Sequence, residues 1–199
     1  NQLKPVYETS WGMTTRMIGA LIMVHGDDSG LKLPPRIAPT QICIVPIQQK
    51  KEGVLDKAYE LRDQLRKSGF RVKVDDGDKS PGFKFADCEV RGIPLRIEVG
   101  PKDIEAGHAV LVRRDTREKI QVSFEELAEE TGKLLEQIQQ DMYDRAKTFL
   151  EEHTSSATNM DELVDIVNTK RGFVKAMWCG CRECEDKLKE MSGITSRCI

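Results

Sequence analysis

Residues 41–74, QICIVPIQQKKEGVLDKAYELRDQLRKSGFRVKV, decide the fold of this chain of 199 residues. The stretch opens with an apolar run, residues 42–45, which is closed by Pro46 and is typical of a short buried strand. Apolar side chains then recur at helical spacing, and Gly69 ends the helix that they predict. Those side chains are Val54, Leu55, Ala58, Leu61 and Leu65. Residues 70–74 predict a second strand, so the stretch forms a strand–helix–strand unit.

The segments that follow extend the same pattern. Residues 83–90 predict a short helix, and the alternation of apolar and polar residues in 93–99 predicts a third strand. Residues 109–112 and 119–122 predict the two strands of a hairpin. The order strand–helix–strand–helix–strand–strand therefore predicts an α/β fold with a mixed, largely parallel five-stranded sheet flanked by helices.

A long helix and a small terminal domain should follow this sheet. Ser123 and Glu126 have the spacing of a capping box, and apolar residues recur at helical spacing from there to about His153. Residues 160–167 predict a short helix, and residues 173–177 predict a strand. We therefore expect a small α+β domain at this end of the chain.

The first 39 residues predict an extended stretch, a helix and a loop. The helix is apolar nearly all round, so we expect it to be buried. Its apolar residues are Met17, Ile18, Leu21, Ile22 and Val24. Prolines at positions 34, 35 and 39 make the loop a stiff connector, which is a natural domain boundary.

Composition excludes some classes of protein. Apolar residues make up 39% of the chain, charged residues make up 32%, and the formal net charge is −2. The overall charge gives no sign of nucleic-acid binding, so any RNA-binding site must be local. No apolar run approaches ~20 residues, and the first seven residues have no apolar centre. We expect neither a membrane span nor a signal peptide, and we expect a cytoplasmic protein.

Three blocks of sequence, taken together, resemble one family. The first block is TSWGMTTRMIG at 9–19, followed by HGD at 25–27 and LPPRIAP at 33–39. The second is RGIPLRIEVGPKD at 91–103. The third is WCGCRECED at 178–186, followed by SRCI at 196–199. In this order the blocks resemble the C-terminal part of prolyl-tRNA synthetases, class II aminoacyl-tRNA synthetases of the eukaryotic/archaeal-like type with a C-terminal zinc domain.

The resemblance implies three parts. Residues 1–38 would be the last strand and helix of the antiparallel class II catalytic core, with its third signature motif. Residues 39–125 would be the anticodon-binding domain. Residues 126–199 would be the long helix and a truncated zinc-type domain.

The resemblance also implies an ATP site at Arg16, whose guanidinium offers a donor fork and a stacking plane. Arg16 would contact ATP, which binds with Mg²⁺, Thr14 would lie beside the adenine or ribose, and Trp11 would help to wall the proline pocket. Catalysis at such a site is mainly positioning and charge stabilisation. The alternative is that Arg16 is a solvated residue at a helix start.

In the second block, Glu89, Arg96 and Lys102 match the positions with which the family binds the two adjacent guanines of the proline anticodon. A carboxylate accepts hydrogen bonds from a guanine edge, and basic side chains donate to its oxygen and nitrogen. We expect the three side chains close together at strand ends, with a turn at 100–101 that aims Lys102 outward. The alternative is that Arg96 forms an ordinary surface ion pair with Glu98 or Glu89.

In the third block, Cys179 and Cys184 match the first pair of zinc ligands of the family. The second pair would lie beyond residue 199, so we expect the zinc site to be incomplete here. Two alternatives stay open: Cys181 or Cys198 completes the site, or the cysteines are unrelated surface thiols.

The implied whole protein attaches proline to proline tRNA through prolyl-adenylate, with ATP, as a homodimer. The first two class II motifs are missing from this chain, so we expect it to be inactive alone. The alternative function is that of a binding module and not an enzyme: the chain would be a non-catalytic tRNA-binding module. A synthetase for threonine, glycine or histidine is a third reading, which the wording of the first block and the cysteines disfavour.

Overall fold

The computed structural model describes Lys4, residues 6–170 and residues 172–197. The chain divides into two compact units, Asn1–Met142 and Tyr143–Ile199. The long helix α5 runs across this division, because it extends over Leu127–Glu152.

The first unit contains a five-stranded sheet in the order β2-β1-β3-β4-β5. Its strands are β1 (Ile42–Pro46), β2 (Val72–Val74), β3 (Leu95–Val99), β4 (His108–Arg113) and β5 (Lys119–Ser123). Its helices besides α5 are α1 (Arg16–His25), α2 (Val54–Lys67), α3 (Pro81–Val90) and α4 (Pro101–Ala106). β1 is parallel to β2 and β3, whereas β3, β4 and β5 are antiparallel. The predicted α/β fold with a mixed sheet is confirmed, although half of the strand pairings are antiparallel.

The two faces of this sheet have different coverings. One face packs against α2 and α5 and forms the main apolar core, which includes Ile44, Leu61, Ile97, Leu111 and Ile138. The other face carries a smaller cluster of Cys43 and Val45 with Cys88 and Ile93, beside α3. Because strand side chains alternate, the register places Arg96, Val112 and Lys119 on this second face.

The prediction that α1 is buried is wrong. None of its residues is buried, and Met17, Ile18, Ile22 and Val24 are exposed. An apolar pattern predicts that a helix needs covering, but it does not identify the segment that covers it. The described part of the chain leaves these side chains in solvent.

The second unit begins within α5 and continues with β6 (Thr154–Ser156), α6 (Met160–Thr169), β7 (Phe173–Lys175) and α7 (Arg182–Ser192). β6 and β7 pair in parallel. Asn159 caps α6, because its Oδ1 accepts a hydrogen bond from the Glu162 N–H at 2.9 Å. The sequence predicts no strand at β6, because its three polar residues carry no strand pattern.

Among the described residues, no helix combines the length and the apolar character that a membrane span needs.

Candidate nucleic-acid interface

Glu89 and Arg96 meet on the second face of the sheet. Glu89 lies in the last turn of α3, and Arg96 is the second residue of β3. The chain reverses between them at Gly92, whose φ of 68° is in the left-handed region. Arg96 Nη1 lies 3.5 Å from Glu89 Oε1, so the structure brings together two of the three predicted anticodon residues.

Arg96 is held on several sides. Its Nε and Nη2 donate to Glu98 Oε1 at 3.1 and 2.9 Å. Its guanidinium carbon lies 4.2 Å from the centroid of the Phe85 ring. Arg96 is 8% exposed, whereas the Glu89 side chain is 29% exposed. Both ion pairs of the alternative reading are therefore present, and they orient the guanidinium beside a carboxylate that solvent can reach.

A cleft of about 200 Å³ opens beside this pair. Four further basic residues line it, namely Arg113, Arg114, Arg117 and Lys119. Such a site offers a carboxylate acceptor and a positively charged lining to a polar planar ligand with a nearby phosphate.

The four basic residues differ in what they already bind. Arg113 donates to Asp115 at 2.8 Å and to Asp141 at 2.6 Å, and these bonds raise the pKa of Arg113. Arg114 donates to Asp27. By contrast, Lys119 is 59% exposed and lies 3.5 Å from Glu98 Oε2. The sequence did not single out Lys119, although the hairpin register would have placed it on the same face as Arg96.

Lys102 lies outside this cleft. It is exposed in the first turn of α4, where the Gly100 N–H donates to Asp103 Oδ2 at 2.8 Å. The turn that we expected at residues 100–101 is therefore the start of helix α4. Arg96 is near the start of β3 and Lys102 is beyond its end, so roughly 10 Å of strand separates their backbones. Lys102 is therefore not among the residues that line the cleft with Glu89 and Arg96, and its part in anticodon binding stays a prediction.

The predicted ATP-site residues lie together in sequence but face solvent. Trp11 is 92% exposed, and Thr14 and Arg16 are also exposed. Arg16 is the first residue of α1, and its backbone N–H lies 3.4 Å from Thr14 Oγ1, which accepts. No described residue encloses these three side chains, and their place at a nucleotide site stays a prediction.

The cysteines of the second unit lie at the start of α7. Cys179, Cys181 and Cys184 are all exposed. A hydrogen bond from the Cys181 backbone, then one from the Cys184 side chain, lowers the pKa of the Cys179 thiol, while Cys179 raises the pKa of Cys184. Structural zinc needs four ligands, and the described residues contain no group of three His, Cys, Asp or Glu that could hold a metal. They do not make a complete zinc site, and Cys198 lies outside them.

Comparisons with known proteins match two separate parts of the chain. Residues 41–134 match the anticodon binding domain family, and residues 160–199 match the family described as prolyl-tRNA synthetase, C-terminal. The chain is 63% identical to a proline–tRNA ligase of Lachnoclostridium phytofermentans over 199 residues, which are 100% of the chain and 41% of that relative. It is 60% identical to those of Lachnospira eligens and Clostridium novyi, again over the whole chain and 42% and 41% of each relative. The chain thus spans about two fifths of the length of these curated relatives and corresponds to a C-terminal portion of them.

Proposed function

The chain belongs to the prolyl-tRNA synthetase family, and from that premise we propose that the whole protein attaches proline to proline tRNA, with ATP, through prolyl-adenylate. Within that protein, this chain would recognise the anticodon and supply one edge of the ATP site. The observation that carries the proposal is the Glu89–Arg96 pair in an open cleft of the matched anticodon-binding domain.

In the proposed complex, one guanine of the proline anticodon enters the cleft. The Glu89 carboxylate accepts hydrogen bonds from its Watson–Crick edge, and Arg96 donates to the same base. Binding needs little rearrangement, because Glu98 and Phe85 already orient the guanidinium. Lys119 supplies the nearby cation for a base or a phosphate.

Lys102 has a separate place in this proposal. It lies beyond the opposite end of β3 from Arg96, and it is exposed. We assign it to the second guanine or to the backbone of the adjacent nucleotide. A loop whose bases are splayed apart can contact two such points at once.

For the ATP edge, we assign Arg16 to ATP with its Mg²⁺, Thr14 to the adenine or ribose, and Trp11 to a wall of the proline pocket. The exposure of these side chains agrees with a site whose other walls come from the rest of the full-length protein. The guanidinium would stabilise phosphate charge in the transition state.

We assign Cys179 and Cys184 to one half of a zinc site, which would fix the start of α7. We retain residues 1–38, 39–125 and 126–199 as the three functional parts, and a cytoplasmic homodimer as the state of the whole enzyme.

The test separates tRNA recognition from chemistry. We expect Arg96→Ala in the full-length enzyme to lower kcat/KM for proline tRNA by roughly 10- to 100-fold, because a buried charged contact to a base is lost. Proline-dependent exchange between ATP and pyrophosphate, which needs no tRNA, should remain at the wild-type rate.

Arg91→Ala is the matched control, since Arg91 is a neighbouring arginine whose side chain is 61% exposed and paired with Asp87 at 2.8 Å. It should leave both assays unchanged. An equal loss of exchange and aminoacylation in Arg96→Ala would refute the proposed division between recognition and chemistry.

A further inference from the structure

Arg114 joins two segments that are far apart in sequence. It directly follows β4, and its side chain is only 3% exposed. Its Nη1 and Nη2 donate to the two carboxylate oxygens of Asp27 at 3.0 and 2.6 Å. Its Nε donates to the backbone carbonyl of Glu89 at 3.0 Å. One guanidinium therefore fixes the loop after α1 and the last turn of α3 together.

The loop that carries Asp27 is itself well ordered by hydrogen bonds. Asp27 and Gly30 exchange both of their backbone hydrogen bonds, at 3.0 and 2.9 Å. Asp27 also pairs with Lys32 at 3.0 Å. Further along, the Leu31 and Leu33 N–H groups donate to the carbonyls of Val90 and Gly92, each at 3.1 Å. Residues 27–33, which we call the 27–33 segment, thus line the turn that brings Glu89 to Arg96.

We propose that Arg114 and Asp27 are positioning residues for anticodon recognition: they fix the backbone of Glu89 so that its carboxylate stays beside Arg96 in the cleft. The inference rests on the proposed function. It adds to that function two residues that do not themselves contact the base. Without the Arg114 bond, the last turn of α3 loses a charged donor to one of its terminal carbonyls, so Glu89 samples other orientations.

The neighbouring residue Arg113 supplies a matched control for the general effect of weakening a buried arginine's ion pair. Arg113 is equally buried, and its Nη2 donates to Asp141 at 2.6 Å, the same length as the shorter bond to Asp27. The Arg113 guanidinium donates to Asp115 and Asp141, whereas that of Arg114 donates to Asp27 and to the Glu89 carbonyl. Asp141→Asn and Asp27→Asn therefore each weaken an ion pair of a buried arginine, and only the arginine paired with Asp27 also donates to the guanine-binding residue.

The experiment measures base discrimination by this chain with two RNA hairpins. Both carry the anticodon stem and loop of proline tRNA, and one has inosine, which lacks the exocyclic amino group, in place of the guanine assigned to Glu89. We expect the wild-type chain to prefer guanine by ~tenfold, the value of one hydrogen bond to a charged group. Asp27→Asn and Arg114→Lys should reduce this preference to ~twofold or less, because lysine lacks the fork that reaches both partners. Asp141→Asn should retain it.

The slope of affinity against salt concentration distinguishes positioning from general damage. It reports phosphate contacts, so it should be the same in the wild type, Asp27→Asn and Arg114→Lys. Full guanine preference in Asp27→Asn and Arg114→Lys, or an equal loss in Asp141→Asn, overturns the inference alone. If the wild type shows no guanine preference, or Glu89→Gln retains it, the proposed reading of guanine by Glu89 fails, and the inference fails with it.

Discussion

At the scale of residues, two buried arginines of the first unit are each paired with a carboxylate that solvent can reach. Arg96 and Arg114 are both nearly buried, whereas Glu89 and Asp27 each have side chains that are 29% exposed. A buried guanidinium with fixed partners is oriented before any ligand arrives, so binding loses less conformational entropy. The exposed carboxylate can then respond to a ligand.

Asp27 should make the stability of the first unit depend on pH. Hydrogen bonds from Arg114, and then from Lys32 and the Ser29 N–H, hold the pKa of Asp27 well below its ordinary value of 3.8, against the opposing effect of burial. A carboxylate with a lowered pKa in the folded state stabilises the fold above its unfolded pKa, and that contribution is lost as pH falls toward the folded value.

We therefore expect Asp27→Asn to lower the free energy of unfolding by about 1–3 kcal/mol at pH 7. The difference from the wild type should shrink below about pH 4, where unfolded Asp27 is protonated and the wild type loses the same contribution. Urea unfolding at neutral and acid pH measures it. Asp28→Asn, at an exposed neighbour, serves as the control. A difference that persists unchanged at acid pH would show that Asp27 acts through packing and not through charge.

At the scale of elements, the close approach between the 27–33 segment and the turn after α3 depends on glycine. A Cβ built on Gly92 would lie 2.6 Å from Leu31 Cβ and 2.7 Å from the Leu31 carbonyl carbon. Gly107 has a similar φ, 74° against 68°, but its Cβ would meet nothing within 4 Å. The two positions therefore separate backbone strain from steric contact.

We expect Gly107→Ala to cost about 1–2 kcal/mol of stability, the strain of a left-handed alanine. Gly92→Ala should cost more, because the backbone of Leu31 must also move. Amide hydrogen exchange should locate the extra loss at Leu31 and Leu33, whose N–H groups bond to Val90 and Gly92. Equal costs for the two variants, with unchanged exchange at Leu31, would mean that the segment does not depend on this contact.

The helices and strands also show how much of the fold the sequence could predict. β1, α2 and the β4–β5 hairpin follow apolar periodicity, and the structure confirms them. The six-residue helix α4 was missed because it is too short to show a period, and β6 because its residues are polar. Of the proposed site, the meeting of Glu89 and Arg96 was predicted. The place of Lys119 depends on strand register, and that of Arg114 depends on a contact between residues 87 positions apart.

At the scale of the whole molecule, this chain forms one of the two proposed sites more completely than the other. The cleft at Glu89 and Arg96 is formed by side chains that contact one another within one compact unit. The edge at Trp11, Thr14 and Arg16 is exposed, and so is the apolar surface of the adjoining helix α1. Anticodon recognition should therefore be a property of this chain, whereas proline activation should require the full-length protein.

This difference predicts the activity of the purified 199-residue chain. It should show no proline-dependent exchange between ATP and pyrophosphate above background, because an enclosed site is needed to align the proline carboxylate with the α-phosphate. The same preparation should bind the anticodon hairpin of proline tRNA, which shows that it is folded. A full-length prolyl-tRNA synthetase is the positive control for exchange. Exchange by the chain alone that disappears in Arg16→Ala would contradict the prediction, since it would mean that these residues already enclose ATP and proline.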